Sequence, residues 1–156
     1  MFKLAQFREH ILLPTLSALQ MYSKDAEELL VFTCATESNG GSLLVQVKGP
    51  ALGIFQMEPI TYADIWHNYI KSRSSLLSII AMNFDAPRMP EATRMIYDLK
   101  YAAVMARIHY RRFSEPLPKA DDVDGMWEYY KKYYNTPLGK SKKEKSIEDY
   151  QRFLKS

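Results

Sequence analysis

Cysteine occurs once in these 156 residues, as Cys34, which excludes an internal disulfide and leaves the fold to depend on packing. Cys34 lies in the apolar run 29–35 and reads as a small buried hydrophobe rather than a reactive thiol. Histidine is scarce too. His10, His67 and His109 stand alone, far from the clustered spacing that a zinc site needs, so neither a metal nor a cofactor is expected. Long apolar runs are missing: the longest, near 29–35 and 76–82, fall well short of the roughly 20 residues of a membrane span. The first ten residues carry charges throughout and lack the apolar stretch of an export signal. The expectation is a protein made in the cytoplasm without a leader of its own. A dominant charge is absent as well, with 21 basic against 18 acidic residues and a net charge of +3. That balance argues against a nucleic-acid partner, which calls for a clustered basic face. The one dense cluster, 140–145, reads as a solvated loop, with contact to an anionic polymer as the alternative.

What is present suits one globular domain spanning 1–156, with a basic C-terminal segment at 140–156. A chain of this length buries roughly 68–70% of its extended surface, so a real core forms without staples. Apolar residues make up 47% and charged residues 25%, ordinary values for a folded domain. Only six glycines occur, and Gly40, Gly41, Gly49 and Gly53 fall close together. Backbone freedom is therefore concentrated between Asn39 and Gly53, and the remainder reads as helix.

A first helix suits 4–13, with Pro14 either ending it or opening a new turn. Ser23 is a candidate N-cap for a helix over 24–37. In it Ala26, Leu29, Leu30, Thr33 and Cys34 recur at helical spacing as a buried stripe. Glu27 and Glu28 lie near its first turn, where the helix dipole favours negative charge. Further helices are predicted over 61–69, 76–82, 91–113, 123–134 and 147–154. The longest carries Met95, Leu99, Ala102, Ala103, Ala106 and Tyr110 along one side. Strand signal is confined to 43–47, a short hairpin arm. The fold class is mainly α, with a Gly-rich loop or small hairpin following the second helix.

Glu37 is the odd residue in its surroundings, an acid at the end of a helix whose last turns are apolar or small. The negative end of the helix dipole disfavours its ionised form. Cover from Leu43, Leu44, Ile54 or Phe55 would raise its pKa in the same direction. A carboxylic acid protonated near neutrality is what glycoside cleavage requires of its proton donor. Spacing alone favours the plainer reading, an exposed helix-end Glu or a buried one accepting from loop amides.

A resemblance points to the catalytic reading. The stretch Glu37-Ser38-Asn39-Gly40, followed by Gly49 to Thr61 with Gly53-Ile54-Phe55-Gln56 at its centre and Pro59 and Thr61 behind, resembles the lytic transglycosylase and goose-type lysozyme superfamily. That superfamily carries Glu-Ser at a helix end, then a loop, then Gly-Leu-Met-Gln with a Pro and a Thr. The two boxes cover about 25 residues. Asp98-Leu99-Lys100-Tyr101-Ala102 resembles a third box, with Asp where Asn is usual and Ala where Gly is usual. Tyr134-Asn135 resembles the late Tyr-Asn pair that lines the sugar groove. Gly49 to Gly53 and Trp127 to Gly139 also look like small bacteriophage proteins of the lysozyme-like class.

The resemblance implies a lysozyme-like domain acting on peptidoglycan glycan strands, with other virion proteins as further candidate partners and Glu37 as catalytic acid. It implies Ser38, Gly53, Gln56, Tyr134 and Asn135 as substrate-binding residues. No Asp or Glu lies between Glu37 and Glu58. The further carboxylates Glu58, Asp64 and Asp98 are weak candidates for a second catalytic acid. One carboxylate suffices for a lytic transglycosylase, in which the muramic acid 6-hydroxyl closes on its own ring. A hydrolytic lysozyme, or a virion docking protein that kept the fold and lost turnover, are the alternatives. The aromatic row from Trp127 to Tyr134 keeps the docking reading open, while Trp66 and Trp127 themselves read as core.

Overall fold

The computed structural model describes residues 1–135 and 141–156. Lys140 and the end of the Trp127 to Gly139 stretch fall outside these. The chain is mainly helical, as its composition predicts. Helix α1 comprises three consecutive segments, Leu4–Phe7, Arg8–Leu12 and Leu13–Ala18, and so continues past Pro14. A wide turn makes this possible. The Leu13 N–H donates to the Arg8 carbonyl five residues back, which relieves the clash a proline ring imposes on a regular helix.

Helix α2, Lys24–Ser38, starts where predicted, with the Ser23 hydroxyl accepting from the Ala26 N–H at 3.0 Å. Its burial exceeds the predicted stripe, because every residue from Ala26 to Ala35 is buried. A helix covered on all sides is a core helix. Glu27 and Glu28 are buried with it and are held by Arg8 at 3.2 and 2.9 Å. Cys34 is free and fully inside, and burial pushes its thiol up to about 12.

Helix α3, Pro59–Ile65, runs on into a second wide turn at Trp66–Ile70, and α4 is Ser74–Asn83. The long helix predicted over 91–113 is instead two, α5 Arg94–Tyr97 and α6 Leu99–Arg111. Asp98 causes the break. Its backbone is extended and its carboxylate caps α6 by accepting from the Tyr101 N–H at 2.9 Å, the use to which a short acidic side chain is suited. Residues Tyr101 to Tyr110 are all buried, making α6 the second core helix. Ala102, Ala103 and Ala106 let α1, α2 and α3 approach it.

Helix α7, Val123–Tyr130, continues through Lys131–Asn135, and α8 is Lys143–Leu154. α8 begins before the predicted residue 147, so Lys143, Glu144 and Lys145 are helical rather than a loop. Lys143 pairs with Asp124 at 3.1 Å and Lys145 with Asp149 at 2.7 Å. The expected hairpin arm is reduced to two isolated bridges, Val45 to Leu52 and Leu52 to Met57. No helix among the described residues is long and apolar enough to cross a membrane.

The buried apolar residues form one cluster from Leu4 to Phe153. It is rich in tyrosines whose hydroxyls pair inside it, as buried hydroxyls must. Tyr62 meets Tyr101 at 2.6 Å, Trp66 donates to Tyr101 at 2.9 Å and Thr33 meets Tyr110 at 2.8 Å. Trp66 is thereby a core residue, and Trp127 is half-buried against the same cluster.

Candidate active site

Glu37 occupies the last turn of α2. Directly after it Asn39, Gly40 and Gly41 adopt φ of 51°, 66° and 89°. This left-handed run swings the chain away from the helix axis and opens a cavity of about 730 Å³ over the carboxylate. Gly41 is needed there for space as well, since a Cβ would stand 2.3 Å from the Phe2 ring. Across the cavity, Gly53 at φ 78° and Gln56 at φ 46° form a tight turn closed by the Gln56 N–H on the Gly53 carbonyl at 2.9 Å. Any side chain at 53 would collide with the Met95 carbonyl at 2.4 Å. Glycine is therefore fixed at this position by backbone approach, and no contact with a sugar is required to explain it.

The Glu37 side chain is half-buried at the wall of this cavity. Its Oε1 accepts from the Tyr130 hydroxyl at 2.6 Å, and Tyr130 lies 3.0 Å from the Ser141 hydroxyl. Burial raises the Glu37 carboxyl to about 7, against the opposing pull of the Tyr130 hydrogen bond. Among the residues expected to cover it, Leu43 lines the cavity, Leu44 is exposed, and Ile54 and Phe55 are buried in the core. The residues shown beside the carboxyl are instead aromatic, with Tyr130 bonded to it. Tyr110 and Tyr134 sit close enough that the Glu37 charge pushes their phenols upward in addition to their own burial.

The structure brings Gln56, Tyr134 and Asn135 to the same cavity as Glu37. Gln56 anchors its amide nitrogen on the Gly53 carbonyl at 2.9 Å. Tyr134 donates to the Phe55 carbonyl at 2.6 Å, tying α7 to the loop. Asn135 accepts from Lys131 Nζ at 2.8 Å. Ser38 is not at the surface of the site. It is fully buried, donates to the Cys34 carbonyl at 3.1 Å and accepts from the Gly41 N–H at 2.9 Å. It caps the end of α2 and shapes the turn behind Glu37.

Of the three remaining carboxylates considered, Glu58 is exposed on the cavity rim. Asp64 is held by Asn68 and Arg112, at 2.6 and 2.9 Å. Asp98 is spent on capping α6 and on Arg94 at 3.0 Å. Glu37 and Glu58 are thus the two acids that line the cavity among the described residues.

Sequence reasoning missed Tyr130, His109 and Gln46. Tyr130 was detectable, because it precedes Tyr134 by four residues and so shares its helix face. His109 lines the cavity from α6, yet 94% of its surface is covered. Its Nδ1 accepts from Arg112 at 2.6 Å, and burial together with the Arg112 charge pulls the ring down to about 3. It faces the site as a neutral imidazole. No residue in 101–110 signals by itself that the histidine is the one turned toward the cavity. Among the described residues no cluster of three His, Cys, Asp or Glu could hold a metal ion.

Compared with family models, with curated proteins and with solved structures, the chain shows no match.

Proposed function

We propose that this protein cleaves the glycan strands of peptidoglycan by a lytic transglycosylase mechanism, with Glu37 as general acid and then general base. The observation that carries the reading is an acid raised to about 7 by burial, gripped on one oxygen by Tyr130, at the wall of an open cavity. A carboxyl that is half protonated near neutrality is matched to proton transfer at that pH. The Tyr130 hydrogen bond occupies Oε1 and leaves the other oxygen to carry the proton. The surrounding Gln46, Gln56, Thr61, Asn135 and Ser141 supply amides and hydroxyls, the groups that recognise sugar hydroxyls and N-acetyl amides.

In this mechanism the protonated Glu37 gives its proton to the glycosidic oxygen as the C1–O bond breaks. The substrate's N-acetyl group supports the positive charge that develops at C1. Glu37, now ionised, accepts the proton of the muramoyl 6-hydroxyl while that oxygen closes on C1. The acid is regenerated and a 1,6-anhydro end is left. No water and no second carboxylate take part.

Glu58 favours a second reading, hydrolysis, because it is the other acid lining the cavity. A hydrolase would use it to activate water or stabilise charge at C1. Mass spectrometry of digested peptidoglycan separates the two. Anhydro ends, lighter by one water than hydrated ends, formed by wild type and by Glu58→Gln, support the transglycosylase. Hydrated ends that disappear in Glu58→Gln assign the hydrolase.

A further inference from the structure

A second cavity, about 460 Å³, lies where the loop before α2 meets the end of α6, and its wall includes Met21, Asp25, Arg107, Arg111, Lys119 and Tyr129. The unusual member is Arg107. It is 5% exposed, its Nε reaches the Met21 carbonyl only at 3.4 Å, and its Nη1 is buried without a hydrogen-bond partner. A buried guanidinium with an open donor is costly to the fold unless an acceptor meets it. Among the described residues none accepts from Nη1. The charge acting most strongly on Arg107 is that of Arg111, which opposes it, and only the Tyr129 and Tyr69 phenols act the other way.

Both carboxylates on the cavity wall are already engaged. Asp25 accepts from the Ala120 N–H at 2.8 Å and lies 3.8 Å from Lys119. Glu115 takes Lys132 and Tyr133, each at 2.9 Å. Arg107 and Arg111 are four residues apart and so share one face of α6. Arg107, buried, and Arg111, exposed, therefore both line the cavity from successive turns of α6, and no ion pair to a carboxylate is found for either among the described residues.

We propose that this cavity binds a phosphate group, with Arg107 and Arg111 as its charged donors. Two adjacent cations match a dianion, whereas a single carboxylate would leave one positive charge unmet. Guanidinium forks also suit tetrahedral phosphate oxygens, each offering paired N–H donors. The site is separate from Glu37 and does not depend on the proposed glycan chemistry.

The test is calorimetric titration of the full chain with inorganic phosphate, followed in parallel by the Arg107 Nε–H signal in nitrogen-15 NMR. Saturable binding that moves this signal, with acetate binding more weakly, is the expected result. Arg111 is exposed, so Arg111→Gln folds normally, and it should weaken phosphate binding by at least about tenfold. Arg107→Met should abolish it, and Glu37→Gln should leave it unchanged. An unmoved Arg107 signal, phosphate binding unaltered in Arg111→Gln, or equal affinity for acetate would each overturn the assignment.

Discussion

Replacing Glu37 by glutamine should make the protein more stable in mild alkali and leave it nearly unchanged in acid. The folded carboxyl titrates at about 7 against 4.5 for the free side chain. At about 1.4 kcal/mol per pH unit this gap corresponds to about 3–4 kcal/mol of ionisation cost. The direction follows from a folded pKa raised above the unfolded one. Below pH 4.5 both states hold the proton and nothing is lost. Between 4.5 and 7 the unfolded state ionises first, and the native state loses stability until the folded carboxyl ionises as well. Glutamine never ionises, and its carbonyl can still accept from Tyr130. The cavity is open to water on one side, so screening trims the effect to between about 1 and 3 kcal/mol. For a domain of this size that is a rise in Tm of roughly 3–10 °C at pH 8.5. Thermal unfolding of both proteins followed by circular dichroism from pH 4 to 9 measures it, since the other titrating groups cancel in the difference. A variant less stable than wild type at pH 8.5, by an amount that persists at pH 4, would refute the reasoning. Glu37 would then be a structural hydrogen-bonding group.

Tyr130→Phe removes the donor to Glu37 Oε1, a bond that holds the carboxyl pKa down. Carbon-13 NMR titration should find Glu37 ionising at higher pH, with a stability loss of about 1–2 kcal/mol. Gly53→Ala forces a Cβ against the Met95 carbonyl at φ 78° and should cost more than about 2 kcal/mol in urea unfolding. A milder loss would mean that the loop yields. His109, pulled down to about 3, contributes stability that is complete above pH 6.5 and is lost as the pH falls toward 3. Its ring proton shifts should stay constant from pH 8 to pH 5, and movement over that range would contradict its burial. Asp98→Ala removes the α6 cap and should cost about 1 kcal/mol.

Helix α2 was legible because its start has a dedicated signal, Ser23, and its end has another, the Asn39-Gly40-Gly41 run of left-handed residues. The break at Asp98 was not, because Arg94 to Tyr110 keeps an apolar helical rhythm through it. Only the capping geometry shows that the Asp98 carboxylate takes the Tyr101 amide. Pro14 illustrates the opposite limit: a local breaker overridden by a wide turn that sequence does not announce.

At the site, the setting of Glu37, an acid closing an apolar helix ahead of a Gly-rich loop, drew attention to it, and the resemblance of Glu37-Ser38 and Gly53 to Gln56 gave it the catalytic role. Ser38 was expected in the groove because it is the second residue of the Glu-Ser box in the resemblance. Neighbours along a helix diverge by about a quarter turn, and that rotation sends Ser38 into the core. Tyr130 and His109 reach the cavity through tertiary packing of α6 and α7, which no local pattern encodes.

The most direct test of the central claim is release of soluble fragments from purified peptidoglycan by wild type and by Glu37→Gln under identical conditions, with circular dichroism confirming that both are folded. The account predicts fragments from wild type and none from the folded variant. Equal release by both proteins, or none by either on several wall types, would contradict it.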